Sequence, residues 1–253
     1  MIRLSANLGF LWTGLPLPHA IRRAKDAGFD AVEFHWPYAE DRAAVKAALD
    51  ETGLPLIGLN TSKGGDGMFG LSALPGRAAD ARAAVDQAFD WAGALGAKAV
   101  HVMAGKAEGP AAARAFEATL AHACDRAAAI GALALIEPLN PTDAPGYFLR
   151  DLSHAVEIVG AVARPELRIM FDVYHQQLTG GDLIRRFAAH RALIGHVQIA
   201  AAPSRREPDE GEVAYDRLLP ALGWEGWVGA EYRPRGTVEE GLGWMAAIRA
   251  ACA

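Results

Sequence analysis

At 253 residues, 51% hydrophobic and 22% charged, the chain is long enough to bury roughly three quarters of its unfolded surface in a packed globular core. A formal net charge of −5, without any Lys/Arg-rich cluster, argues against nucleic acid as a partner. No apolar run reaches the roughly 18 residues of a membrane span and the opening MIRLSANLGF lacks the regions of a signal peptide, so no membrane partner and a cytoplasmic location are expected. Cys124 and Cys252 form no CxxC pair and suit a reducing compartment.

In chain order, short apolar runs alternate with longer segments of helical period, the pattern of parallel βαβ construction. Predicted strands cover 3–9, 31–36, 56–61, 99–105, 133–139, 168–174, 195–200 and 227–232. Between the first two, Ile21, Ala24 and Ala27 recur at helical spacing while Arg22, Arg23, Lys25 and Asp26 take the other faces. Several of the predicted helices stop at a glycine: Gly28, Gly53, Gly96 and Gly131. One stretch, SKGGDGMFGLSALPG at 62–76, breaks the regular spacing; a mobile lid and a plain surface loop are equally compatible with it.

Eight β/α units in a chain of this length predict an α/β fold, a single (β/α)8 TIM barrel domain over 1–253, because an open sheet of that many strands would leave edges to protect. The rival, an open doubly wound sheet, lacks its Gly-x-Gly-x-x-Gly fingerprint after the first strand.

In such a barrel the chemistry sits at the C-terminal strand ends. The polar residues there are Asn7, Glu33 with His35, Asn60, His101, Glu137 with Asn140, Asp172 with His175, Gln198 and Glu231. Glu137, Asp172, Gln198 and Glu231 come from the last four strands after similar apolar runs, which places them at one height. Three carboxylates and an amide oxygen at short range would repel one another without a cation among them. An oxygen-dominated set favours Mg²⁺ or Mn²⁺ over zinc. For His35, His101 and His196 the structural reading is preferred, and His175 is a substrate-binding candidate. Two glutamates flanking a metal suit proton removal beside a carbonyl, where the resulting enediolate is stabilised by the ion.

At SANLGFLW, GFDAVEFHWPY, ALPGR, LIEPLNPTDAPGYFL, FDVYHQQ, GHVQIAAAPSRREPDEGEVAYDRL and GWVGAEYRPRGTVEEGLGWM the chain resembles the hydroxypyruvate isomerases, within the xylose-isomerase-like TIM barrels. The resemblance runs nearly end to end. It implies conversion of hydroxypyruvate to tartronate semialdehyde, with Glu137 and Glu231 as proton donor and acceptor. It also implies a divalent ion, Mg²⁺ ahead of Mn²⁺, held by Glu137, Asp172, Gln198 and Glu231. Related sugar epimerases usually carry a histidine where this chain has Gln198, which argues against an epimerase that binds manganese through that histidine and leaves a sugar epimerase of the same superfamily as an alternative. The sister 2-oxo-tetronate isomerases share most of these motifs: GLSALPGR and VHVMAG look more like them, IEPLNPTDAPGYFL more like hydroxypyruvate isomerase.

A small hydroxy-oxo acid needs a partner for its carboxylate. Arg205 matches an arginine of the family pattern and Lys63 lies in the glycine-rich loop. Phe10 and Trp12 are candidates either to wall the pocket or to pack beneath a loop. Two rival functions remain, a phosphodiester-cleaving nuclease of the same superfamily and a non-catalytic sugar-acid binder. Trp224, Trp227 and Trp244 suit internal packing or a homo-oligomer contact equally.

Overall fold

Every predicted strand is present, and every one ends before its apolar run does. In the computed structural model, which describes residues 2–253, the strands are β1 Arg3–Asn7, β2 Ala31–Glu33, β3 Leu56–Asn60, β4 Ala99–His101, β5 Leu133–Ile136, β6 Leu167–Asp172, β7 Ile194–Ile199 and β8 Trp227–Ala230. They are parallel and close in sequence order into a barrel, the α/β TIM-barrel fold. The helices are α1 Leu17–Asp26, α2 Arg42–Thr52, α3 Ala78–Leu95, α4 Gly109–Ile130, α5 Leu152–Val162, α6 Val173–Thr179, α7 Leu183–His190, α8 Tyr215–Leu222 and α9 Gly243–Ala251. No helix among the described residues is long and apolar enough to cross a membrane.

Left-handed glycines end α2, α3 and α4 at Gly53, Gly96 and Gly131, as the sequence predicts. Helix α1 differs: Ala27 is its cap, and Gly28 follows with φ of +84°. The sixth strand also stops earlier than its apolar run, because Asp172 accepts a hydrogen bond from Tyr174 N–H at 2.9 Å and starts α6 at Val173.

The chain divides into two compact units. The first, Met1–Ile57, Asp172–Arg191 and His196–Ala253, contains the ladder β7–β8–β1–β2, with Gln198 opposite Gly229, Ser5 opposite Gly229 and Asn7 opposite Glu33. Helix α1 packs on α2 and α8 on α9. Trp244 is buried against Tyr232, with ring centroids 6.0 Å apart, and the half-buried Trp224 donates to the Trp227 carbonyl at 2.9 Å.

The second unit, Gly58–Phe171 and Ala192–Gly195, carries β3–β4–β5–β6, flanked by α3, α4 and α5. Ala99, Leu135 and Met170 form one core cluster with Leu133 packed below. Side chains alternate along a strand, so the residues two positions further on share that face: His101 on β4, and Glu137 just beyond β5. An apolar layer thus supports a polar one.

The glycine-rich loop is tied to this unit. Gly70 bridges Ala104, and Ala73 N–H donates to the Ala104 carbonyl at 2.7 Å. Gly70 (φ +121°) and Gly105 (φ +92°) are required there, since a Cβ on either would run into backbone of the facing strand or loop. The loop's second half is thus tied to the segment that follows β4.

Candidate active site

Glu231 is the first residue beyond β8, held by its N–H donating to the Ile199 carbonyl at 3.1 Å. Its Oε1 lies 3.0 Å from His35 Nε2, and its Oε2 lies 3.5 Å from Arg205 Nη2. His35 follows β2 by two residues and stands edge-on to Phe10, with centroids 5.3 Å apart. Its ring occupies the space a Cβ on Gly9 would fill. Gly9 N–H in turn donates to Asn7 Oδ1 at 2.9 Å, so the turn after β1 is shaped around the histidine.

Arg205 reaches the site from the loop after β7, on a backbone with φ of +54°. Its guanidinium carbon lies 4.8 Å from the centroid of Phe10 and 5.0 Å from that of Tyr174, and its Nη2 is also 3.8 Å from Asp172 Oδ2. Asp172 is fully buried, with His175 Nε2 3.7 Å from its Oδ2.

Burial drives the Asp172 carboxyl up, the charge of Glu231 adds to this, and Arg205 only partly opposes it, so it titrates at about 7. Burial also pushes Glu231 upward, but the hydrogen bond from His35 and the charge of Arg205 outweigh it and hold the group down at about 2.

Two further buried groups complete this unit's share. Gln198 Nε2 donates to Glu33 Oε2 at 2.9 Å, and His196 Nε2 lies 3.2 Å from Glu33 Oε1. In the second unit, Glu137 follows β5 directly, where Pro138 has no N–H to extend the ladder, and its Oε2 lies 3.6 Å from His101 Nδ1. Tyr147, whose hydroxyl accepts from Ala104 N–H at 3.0 Å, is fully buried there, and burial pushes its phenol far above the usual range.

Within the first unit, Asp172, His175, Gln198 and Glu231 are all buried polar groups at or just beyond strand ends. The chemistry of the surrounding atoms fits a cation. Asp172 Oδ2, Gln198 Oε1 and Glu231 Oε2 are each buried and accept no hydrogen bond from the described residues. Buried oxygens left in that state are costly in an apolar surrounding and suited to a hard ion.

Of the residues singled out in sequence, Asp172, His175, Glu231 and Arg205 lie close together in the first unit, where Gln198 is buried beside Glu33, and Glu137 lies against His101 in the second. Lys63 is 47% exposed, with Asp66 3.7 Å away. Phe10 lies against His35 and Arg205, whereas Trp12 packs edge-on to Phe29 and donates to Glu239 at 2.9 Å, a role beneath a loop. Sequence reasoning undervalued His35, His101 and Glu33. All three stand at C-terminal strand ends and were noted there, but nothing local reveals that each faces a carboxylate or amide of another strand.

The profile of the xylose isomerase-like TIM barrel family matches residues 21–248. The chain is 41% identical to the Xenopus laevis protein named "Putative hydroxypyruvate isomerase", covering 96% of this chain and 94% of that one. It is likewise 41% identical to the 2-oxo-tetronate isomerase of Cupriavidus necator, over 97% and 98%. Among solved structures, one described as "AP endonuclease, family 2 from Brucella melitensis" superposes with a TM-score of 0.93 at 38% identity, covering 97% and 98%. The chain therefore belongs to the xylose isomerase-like TIM barrel family, as an isomerase among relatives named for hydroxypyruvate and 2-oxo-tetronate.

Proposed function

We propose that the protein interconverts hydroxypyruvate and tartronate semialdehyde, with a divalent ion, Mg²⁺ ahead of Mn²⁺, held by Glu137, Asp172, Gln198 and Glu231. The observation that carries this reading is Glu231, a buried glutamate kept ionised by His35 at 3.0 Å and Arg205 at 3.5 Å. An ionised carboxylate in a buried site is the group required to take a proton from carbon. A bound divalent ion supplies electrostatic stabilisation of the charge that develops on the substrate oxygens.

Glu231 removes a proton from C3 of hydroxypyruvate. The C–H electron pair becomes the C2–C3 double bond of the enediolate as the C2 carbonyl π pair moves onto its oxygen, Glu137 delivers a proton to C2, and solvent then takes a proton from Glu231 and returns one to Glu137. The hydroxyl proton moves from the oxygen on C3 to the oxygen on C2, leaving the aldehyde at C3. Arg205, stacked between Phe10 and Tyr174, binds the substrate carboxylate, and His175 orients the adjacent hydroxyl. Lys63, in the glycine-rich loop, is the second candidate for that carboxylate.

The one-carbon-longer 2-oxo-tetronate is the second reading, favoured by the Cupriavidus relative. One extra hydroxymethyl group is worth only about 1–3 kcal/mol in a pocket, so both acids belong in the assay. The nuclease reading draws on the name of the Brucella neighbour, and the net charge of −5 opposes it. The test is solvent deuterium exchange into C3 of hydroxypyruvate with Mg²⁺ or Mn²⁺, for the wild type and for Glu137→Gln and Glu231→Gln. Exchange in the wild type, none in Glu231→Gln, and loss of net conversion in Glu137→Gln are expected. Full activity in both variants removes the assignment, and a gel shift with abasic DNA would favour the nuclease.

A further inference from the structure

Glu33 lies outside the set that the proposed reaction uses, yet it is 3% exposed and sits against one of that set. Gln198 Nε2 donates to Glu33 Oε2 at 2.9 Å. A carboxylate can only accept, whereas an amide has one donating end and one accepting end. Turned the other way, Gln198 would set its own oxygen against a carboxylate oxygen in a buried place, which is repulsive. Glu33 therefore permits one orientation of the amide. In that orientation Gln198 Oε1, buried and accepting no hydrogen bond from the described residues, is the end left for a ligand.

The fold makes room for this pair. Gly229 is the register partner of Gln198 on the neighbouring strand, and a Cβ there would collide with both the Glu33 carboxylate and Gln198 Cγ. His196, two residues before Gln198 on the same strand, places its Nε2 3.2 Å from the second oxygen of Glu33, a close contact on the carboxylate's other side without hydrogen-bond geometry. Glu33, His196 and the bare Gly229 thus form a clamp around one amide.

We propose that Glu33 is a positioning residue for the ion site: it turns Gln198 so that Oε1 faces a divalent cation. This rests on the reading above in which Gln198 is a ligand, but its test measures ion binding and not turnover. Substitutions behind a ligand typically weaken metal affinity by about 10- to 100-fold. Glu33→Gln keeps the shape but lets the Gln198 amide flip.

Isothermal titration of the metal-stripped protein with Mn²⁺ should give a Kd weakened about tenfold or more for Glu33→Gln. Gln198→Ala should weaken it as well, and adding Glu33→Gln to Gln198→Ala should change nothing further, because Glu33 acts only through the amide. If Glu33→Gln does not fold, Gly229→Ala crowds the same clamp and should weaken Mn²⁺ binding in the same direction. The proposal is overturned by an unchanged Kd in the folded variant, by an equal loss with and without Gln198, or by a wild type that binds no Mn²⁺. A wild type that binds Mn²⁺ with this pattern of affinities but turns over neither hydroxy-oxo acid removes the substrate assignment and leaves the role of Glu33 standing.

Discussion

The mouths of β6 and β8 each carry one buried carboxylate near the same guanidinium, yet the two are driven in opposite directions. Glu231 has an imidazole at 3.0 Å and Arg205 at 3.5 Å; Asp172 Oδ2 has the His175 imidazole at 3.7 Å and Arg205 at 3.8 Å, both too far to hydrogen-bond to it. Both lose hydration, but Glu231 is paired with a side chain at hydrogen-bond distance and a guanidinium, whereas the hydrogen bond to Asp172 comes from the neutral Tyr174 N–H. The lesson is one of division of labour. Glu231 is an ionised base at neutral pH as it stands, whereas Asp172 becomes a stable anion when a further positive charge enters beside it.

The sharpest way to break this contrast is Glu231→Gln. Removing a general base should lower turnover by about 10²- to 10⁴-fold and abolish exchange at C3, read by deuterium incorporation. Near-normal exchange would show that Glu231 is not the base.

Asp172→Asn acts on the other side of the comparison. In chelator-treated protein the folded-state pKa of Asp172, about 7, lies above its ordinary value of 3.8. The folded state then binds more protons than the unfolded state between those values, so stability falls as pH rises through that window. Each pKa unit is worth about 1.4 kcal/mol, so a loss of several kcal/mol is expected between pH 4 and 7. Asp172→Asn, which retains the cap to Tyr174 N–H, should flatten that slope in thermal or urea unfolding and should weaken Mn²⁺ binding. An unchanged slope would mean that Asp172 is ionised without a cation.

Arg205 is shared, and its substitution separates charge from geometry. Arg205→Met should raise KM and move the acid limb of kcat/KM upward, since Glu231 loses a cation that holds it down. Arg205→Lys keeps the charge and should leave that limb nearly in place while KM rises, because a point charge does not reproduce two parallel bonds. A charge-assisted contact of about 1.5–3 kcal/mol sets the scale at about ten- to a hundredfold in kcat/KM.

The smallest effect is expected at His35→Phe, which keeps the edge contact with Phe10 and removes the bond to Glu231. The acid limb should rise by about one pH unit, equivalent to about 1.4 kcal/mol. Gly9→Ala should act in the same direction through the displaced ring. Unmoved pH profiles in both would leave His35 with packing alone.

Much of the candidate site was legible because barrel chemistry is read at strand ends. Glu137 and Glu231 each directly follow an apolar strand, LALI and WVGA, and that position at the barrel mouth is readable in the sequence. The strand ends themselves were read too long, since apolar residues continue beyond the point where pairing stops: Val173 and Tyr174 look like strand but lie in α6. The glycine-rich loop was legible as irregular but not as anchored, because the bridge from Gly70 to Ala104 joins segments that no periodicity connects.

By itself the sequence determined the alternation of eight strands with helices, the glycine stops, and the oxygen-bearing residues at the last four strand ends. These are local properties, encoded at spacings of two to four residues. Only the tertiary structure decided that His35 meets Glu231 across 196 residues, that Glu33 meets Gln198 across 165, and that Arg205 lies against two carboxylates at once. The charge state of a buried group is a sum over its burial and its neighbours from other strands, and those neighbours are assigned by closure of the barrel and not by position in the chain.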